Sequence, residues 1–268
     1  MIGAIIGDIA GSRFEHHNRK SKDFVLMSKN LRCRPTDDSV MTLAVARAIL
    51  ACGGDFTALP EAATASMQAM GRRYPNAGYG RSFLNWIYAD RPRPYNSFGN
   101  GAAMRVSPCG WAAKSAEEAA SLARAVTAVT HDHPEGLKAA EAVSVFIWMA
   151  RQGADREELR SFVKDRYYDL DFTLDGIRET YAFDVTCQGS VPQAFEAFFE
   201  SSDFEDAVRN AVSIGGDSDT IAAIAGGLAE AFYGVPGRLR EQAVPFLFDL
   251  QKEILESFEA RYGTKTEG

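Results

Sequence analysis

The 268-residue sequence is poor in the side chains that build soft-metal and disulfide sites, with four cysteines and four histidines in all. Cys33, Cys52, Cys109 and Cys187 stand alone with no Cys-x-x-Cys pair, which argues against a disulfide framework or a structural zinc site and fits a reducing compartment. Positive charge is also in deficit: 29 Lys and Arg against 36 Asp and Glu give a net charge of −7. A broad nucleic-acid or anionic-lipid surface needs clustered cations, so neither partner is expected. Long apolar runs are missing as well. The first eight residues, Met1-Ile-Gly-Ala-Ile-Ile-Gly-Asp8, carry no basic leader and are interrupted by Asp8, so neither signal peptide nor anchor is expected, and the cytoplasm is the expected location. β-Branched residues are few for this length: Val, Ile and Thr together number 39 against 40 alanines, which favours helix over sheet.

What is present reads as helices joined by short breaks, with two long irregular stretches, 12–35 and 91–101. A short Gly-rich helix is expected at 3–11 and a capped one at 36–51, where Thr36 or Asp37 caps, Asp38 enters the first turn and Gly53 follows the end. Further helices are expected at 57–73, 79–89, 115–129, 155–167, 174–182, 190–200, 203–213, 219–233 and 237–261. Ser115 and Glu118 form a capping-box pattern, and Pro134 opens a helix whose apolar stretch 142–150 should be buried. No repeat, low-complexity linker or composition shift divides the chain, so a single all-α domain over 1–268 is expected.

Two acidic clusters carry the most chemistry: Thr36-Asp-Asp-Ser39 and Gly215-Gly-Asp-Ser-Asp-Thr220, each opening a strongly apolar, Ala-rich helix. Either one alone is an ordinary N-cap, because Ser, Thr and Asp cap helices and acids favour the first turn. Together they would direct four carboxylates into one semi-buried place, and unpaired buried carboxylates are costly. Hard divalent cations relieve that cost, and an oxygen-only set suits Mg²⁺ or Mn²⁺ rather than zinc. The residues therefore suggest a one- or two-metal site of Thr36, Asp37, Asp38, Asp217, Asp219 and Thr220. Ser97-Phe-Gly-Asn-Gly-Ala-Ala-Met-Arg105 reads either as a tight turn or as a loop offering backbone N–H groups to an anion, with Arg105 serving a phosphate or an ion pair. Thr130-His-Asp-His-Pro134 holds two of the four histidines, and Tyr74, Tyr79 and Tyr95 either stack on a ligand or pack internally.

Gly7-Asp-Ile-Ala-Gly11 with Glu15, the two acidic clusters, Gly99-Asn-Gly-Ala-Ala-Met-Arg105 and Thr130-His131 with Pro134 resemble, in order and spacing, the ADP-ribosylglycohydrolase family. The resemblance implies an orthogonal all-α bundle around two Mg²⁺ ions, with Mn²⁺ an alternative, held by Thr36, Asp37, Asp38, Asp217, Asp219 and Thr220. It implies that Asn100, Gly101, Ala102, Ala103 and Met104 line the diphosphate and nearby ribose, that His131 faces the ADP-ribose, and that Asp8 fixes the first helix. The implied reaction is hydrolysis of the bond between the distal ribose and an acceptor, releasing ADP-ribose, with Glu15 or Asp38 as the proton-transferring carboxylate. A monomer acting on ADP-ribose or ADP-ribosylated substrates is expected, with the acceptor left open. Two alternatives stand beside this: a non-catalytic ADP-ribose-binding protein on the same fold, and an HD-type metal phosphohydrolase using His16 or His17 with His131-Asp132.

Overall fold

The computed structural model describes residues 1–263. Among these residues the protein is all-α. Its fourteen α-helices are α1 (Ile2–Gly11), α2 (Asp37–Ala51), α3 (Leu59–Arg73), α4 (Arg81–Tyr88), α5 (Ser107–Ala112), α6 (Ala116–Thr127) and α7 (Pro134–Arg151), then α8 (Arg156–Arg166), α9 (Leu174–Ile177), α10 (Cys187–Phe199), α11 (Phe204–Ser213), α12 (Ser218–Tyr233), α13 (Gly237–Ala243) and α14 (Asp249–Tyr262). No strand occurs among the described residues, where extended pairing is confined to an isolated bridge between Gly99 and Thr186. No helix there is long and apolar enough to cross a membrane.

Two helices, α1 and α12, are buried along almost their whole length, and their mutual packing sets the rest. Gly3 and Gly7 of α1 meet the backbone of Gly226 and Ala222 on α12 so closely that a Cβ on Gly7 would stand 1.9 Å from the Ala222 carbonyl oxygen. A spacing of four residues keeps these glycines on one helical face. The contact brings Asp8 on α1 beside the first turn of α12. Helix α7 lies against the same core; of the stretch 142–150 expected to be buried, Ala142–Ile147 and Ala150 are, while Trp148 and Met149 are half-buried. One continuous hydrophobic cluster runs from Met1 to Phe258.

Helix starts follow the capping residues closely. Thr36 caps α2, Ser115 Oγ accepts from the Glu118 N–H of α6 at 3.1 Å, and His133 caps α7. The reciprocal half of the Ser115 box differs: Glu118 reaches one residue further back, to the Lys114 N–H at 2.6 Å. Three expected helices are corrected. The long helix at 237–261 is broken into α13 and α14, because Pro245 supplies no N–H and the chain passes through a 3-10 turn at Val244–Phe246 before Leu247 and Phe248 turn extended. The helix at 174–182 stops at Ile177; beyond it the Tyr181 carbonyl accepts from Lys20 Nζ at 2.7 Å and its phenol donates to the Gly189 carbonyl. Helix α10 begins three residues earlier than expected, capped by Thr186, with Pro192 inside it. Helix α5, opened by Ser107-Pro108, was not expected from the sequence.

Candidate active site

The N-termini of α2 and α12 converge beside α1. Thr36 is the N-cap of α2, with Asp37 and Asp38 in its first turn; Asp217 is the N-cap of α12, with Asp219 and Thr220 in its first turn. Asp217 is delivered by Gly215 and Gly216, both at φ +72°, a left-handed conformation that suits glycine. The turn is clamped from outside by Asn18, whose side chain accepts from Gly216 N–H at 2.9 Å and donates to its carbonyl at 3.1 Å. Lys20 holds the Ile214 carbonyl at 2.5 Å, so the irregular stretch 12–35 straps the second acidic cluster in place.

Asp8 does more than the sequence suggests. Rather than fixing its own helix, it secures the start of α2, accepting from Thr36 N at 2.8 Å, Thr36 Oγ1 at 2.7 Å and Ser39 N at 3.0 Å, and from the Ser39 hydroxyl. One oxygen of Asp8, Asp38 and Asp219 lies within 4.8 Å of the others, and the same holds for Glu15, Asp217 and Asp219. Two triplets of carboxylates thus share Asp219. Thr36 Oγ1 and Thr220 Oγ1 close the group, lying 3.1 and 3.3 Å from Asp38 Oδ2.

No Lys or Arg makes an ion pair with any of these carboxylates among the described residues; the nearest partner is His16 Nε2, 3.6 Å from Glu15. Burial first, then mutual repulsion, pushes the carboxyls up. Asp37 is raised to about 7 by burial and the charges of Asp8, Asp217 and Glu15. Asp38 rises well above the usual range by burial and then Asp8 and Asp37, and Asp219 likewise by burial and then Asp38 and Asp217. Asp8, Asp217 and Glu15 are raised chiefly by burial. Asp38 Oδ1 and Asp219 Oδ1 are buried with no hydrogen-bond partner among the described residues. Buried acceptors are normally satisfied. An all-oxygen set with two orphaned carboxylate oxygens and no counter-charge fits a hard divalent cation.

The cluster forms one end of a cavity of about 470 Å³. Glu15, Asp37, Asp38, Asp217, Asp219 and Thr220 line it, and Asn100, Gly101, Met104 and His131 face them. Thr36 lies behind this wall, buried against Asp8 and Asp38. Asn100 donates to Asp217 Oδ2 at 2.7 Å and to Ser190 Oγ at 3.1 Å, so its amide orients a member of the acidic cluster. Ala102 and Ala103, expected beside a diphosphate, are not brought to the cavity. Both are buried, and the N–H groups of Ala102, Ala103 and Met104 are spent on the Gly99 and Asn100 carbonyls of a 3-10 turn. That turn, rather than an open anion loop, is what Gly99-Asn-Gly forms.

His131 is buried, and its basicity falls well below the usual imidazole range through burial and the nearby Arg105 charge. Its Nδ1 lies 2.7 Å from Thr130 Oγ1 and 3.4 Å from Arg105 Nη2. Arg105 has no acceptor to offer, and it donates to Thr130 Oγ1 at 2.6 Å, so Nδ1 is the acceptor of this network. The neutral ring then carries its proton on Nε2, which faces Gly99 and Gly101 at the cavity wall. Arg105 is buried, lines the cavity beside His131 and orients that ring, and it makes no ion pair with a carboxylate among the described residues. His133 caps α7 through Nδ1, and Asp132 accepts from Asn96 N–H at 2.7 Å. These are structural duties, and the candidate metal triplets among the described residues contain carboxylates alone, which removes the basis for an HD-type site. Of the three tyrosines, Tyr95 lines this cavity and Tyr74 lines another.

A model of the ADP-ribosylglycohydrolase family matches residues 1–264. The ADP-ribosylhydrolase ARH3 of Mus musculus is 26% identical, with 88% of this chain and 83% of that protein aligned. The ADP-ribosylarginine hydrolase Tri1 of Pseudomonas putida (strain GB-1) is 29% identical over a shorter stretch, 60% of this chain and 46% of its own. Among solved structures, an ADP-ribosylglycohydrolase-related protein complex superposes with a TM-score of 0.72 at 25% identity, covering 97% of this chain and 94% of that one.

Proposed function

Because the chain belongs to the ADP-ribosylglycohydrolase family, we propose that it is a Mg²⁺-dependent hydrolase that cleaves the glycosidic bond between ADP-ribose and an acceptor, releasing ADP-ribose. The observation that carries this reading is the pair of carboxylate triplets sharing Asp219, buried but for the half-buried Glu15, at the end of an open cavity. Thr36, Asp37, Asp38, Asp217, Asp219 and Thr220 would hold two Mg²⁺ ions, with Mn²⁺ an alternative. When bound, the ions supply charge compensation and Lewis acidity toward substrate hydroxyls and water.

The chain's own groups divide the remaining work. Asp8 keeps Thr36 and Ser39 in register, so that the first turn of α2 presents Asp37 and Asp38 at a fixed angle. Asn100 fixes the rotamer of Asp217. His131 Nε2–H is a donor able to meet a hydroxyl or phosphate oxygen of the ADP-ribose, alongside Gly101 and Met104 on the same wall. Of the two candidate proton-transferring groups, Asp38 is held deep in the cluster by Thr36 and Thr220, whereas Glu15 is half-buried at the cavity with a raised pKa. Glu15 is therefore assigned the proton transfer at the scissile bond, where a carboxyl raised above its ordinary range by burial is better able to hold and return a proton. Asp38 is assigned to metal holding.

The test is incubation with a panel of arginine-, serine- and thymidine-linked ADP-ribose and O-acetyl-ADP-ribose, with Mg²⁺ or with EDTA, scored for free ADP-ribose. Release from at least one member in Mg²⁺ and none in EDTA is expected. Release that survives EDTA refutes the metal assignment. Binding of ADP-ribose without release from any member makes the protein a binding module.

A further inference from the structure

The larger of the two principal cavities is not the one with the carboxylates. About 610 Å³ in volume, it opens on the other side of the first turn of α2, so that Asp37 and Asp38 line one cavity and Val40 the other. The partition between them is thin. Asp37 N–H donates to the Ala77 carbonyl at 3.1 Å, with Ala77 on one side and Gly78 on the other.

The composition of this second wall is the reverse of the first. Lys29, Arg34 and Arg73 line it together with Tyr74, Phe246 and Phe248, and no Asp or Glu does among the described residues. In a chain with a net charge of −7, three cations without an acidic lining residue are a local inversion. None of the three makes an ion pair among the described residues: the Arg34 guanidinium donates to the Asn76 carbonyl at 3.1 Å, and Lys29 and Arg73 lie 5.9 and 6.0 Å from the Phe246 and Tyr74 ring centroids. Arg73 in the last turn of α3 also complements that helix end, a role that leaves its guanidinium without a carboxylate. Tyr74 and Phe248 stack, with ring centroids 5.4 Å apart and planes 27° from parallel, and Phe248 is 60% exposed. An exposed stacked phenyl at the edge of a cavity offers a face to a further planar ring. The Tyr74 hydroxyl is buried with no partner among the described residues, and a buried hydroxyl ordinarily has one.

We propose that this cavity is a second ligand site, specific for a nucleotide: a planar base against Tyr74 and Phe248, and a phosphate among Lys29, Arg34 and Arg73. Aromatic rings next to unpaired guanidinium groups match a molecule that joins a base to a phosphate, since Arg pairs phosphate in a bidentate fashion and rings stack on bases. The volume lies within the range of small-ligand pockets. The site is separate from the catalytic reading and does not depend on it. Its position behind Pro35 and Asp37 makes the first turn of α2 the common wall of both sites.

The experiment is calorimetric titration of the whole chain with AMP, with adenosine and inorganic phosphate as the single-feature probes. It is repeated for Arg73→Glu, Phe248→Ser and, at the catalytic cavity, Asp217→Asn. AMP is expected to bind more tightly than either probe. Arg73→Glu should weaken it by about tenfold or more, as loss of a charge-assisted contact and gain of a repulsive one imply. Asp217→Asn should leave that class of binding intact. Arg73 and Phe248 are exposed, so thermal melts near wild type are expected for both variants. Should one fail to fold, the other decides. AMP binding unchanged in Arg73→Glu and Phe248→Ser, or wholly lost in Asp217→Asn, overturns the proposal. ADP-ribose release by Arg73→Glu at the wild-type rate is expected, and AMP binding by a wild-type chain that releases no ADP-ribose would overturn only the catalytic reading.

Discussion

Gly226 and Gly227 are neighbours in the interior of α12, and replacing each with alanine should change stability in opposite directions. Helix propensity treats them alike, with alanine favoured by about 0.8–1.0 kcal/mol at an interior position. The packing does not. A Cβ on Gly226 would stand 2.3 Å from the Gly3 carbonyl oxygen, a backbone atom that no rotamer can move aside. A Cβ on Gly227 would meet Ser107 Cβ at 3.4 Å, Ala4 Cβ at 3.7 Å and Ile147 Cδ1 at 3.8 Å, which is ordinary contact. Relieving the first clash requires α1 and α12 to part by about 1 Å, and because the obstructing atom is backbone the cost falls in the upper part of the overpacking range, about 2–3 kcal/mol. After the propensity gain, Gly226→Ala should be destabilised by about 1–2 kcal/mol, and Gly227→Ala should be neutral or stabilised by up to about 1 kcal/mol. For a domain near this size those figures correspond to roughly 2–8 °C lost and roughly 0–4 °C gained in melting temperature. The parting also separates Asp8 from Asp219, so the Gly226 variant should show a smaller stabilisation by Mg²⁺. Calorimetric or circular-dichroism melts with and without Mg²⁺ measure both effects. Equal melting temperatures for the two variants would show that the α1–α12 approach is not as close as argued, and with it would go the explanation of how Asp8 reaches the acidic cluster.

Three further outcomes follow from the site. Mg²⁺ or Mn²⁺ should raise the melting temperature of wild-type protein, and Asp219→Asn should abolish that rise while leaving the metal-free protein as stable or more so, because the substitution removes a buried charge that faces Asp38, Asp217 and Asp8. Unchanged metal-dependent stabilisation in the variant would refute the sharing of Asp219. Glu15→Gln should retain ADP-ribose affinity by calorimetry and lose about 10²–10⁴-fold in turnover, the usual worth of general acid–base catalysis; wild-type turnover would exclude Glu15. His131 has a folded-state pKa depressed below its ordinary value by burial and Arg105, so below about pH 6.5 the unfolded chain takes up a proton that the folded one refuses. Stability carried by this residue is therefore complete above about pH 6.5 and lost as the pH falls, and His131→Gln should flatten the acid side of a urea-denaturation stability profile. A parallel acid slope in variant and wild type would mean that His131 is not buried as described.

Helix positions were legible wherever the chain carries its own start signal, because a cap acts on amides only two or three residues away. Thr36, Ser115 and Pro134 all open helices as read. One failure lies where a local pattern is overridden by a distant partner. The stretch after Ile177 has helical composition, yet Lys20 and Gly189 take the Tyr181 backbone and phenol for other bonds. Pro245 was a readable break inside the apolar periodicity of 237–261, and its missing N–H outweighs the amphipathic pattern on either side. Ser107-Pro108 is an equally local signal, that of a short helix start, lying just beyond the irregular stretch 91–101.

The acidic site was legible in its two clusters and hidden in what joins them. Thr36, Asp37, Asp38, Asp217, Asp219 and Thr220 come together as their types and helix-start positions suggested, since two buried helix N-termini carrying carboxylates have few places to go. Asp8 was not placed with them, although Gly3, Gly7 and Gly11 recur every fourth residue and so mark a helix face stripped for backbone contact. That spacing says that something approaches but not what, and only the α12 glycine at 226 and the small Ala222 identify the partner across more than two hundred residues of chain. The same limit explains Ala102 and Ala103. Glycine beside asparagine permits either an open anion loop or a 3-10 turn, and the choice is made by the Val185 carbonyl, which accepts from Asn100 N–H at 2.7 Å, and by Asp217, which fixes the Asn100 amide. Once Asn100 is pinned at both ends, its carbonyl is positioned to take the N–H groups of Ala103 and Met104, and the turn that results leaves His131 Nε2 as the side-chain donor beside Gly101 on that wall.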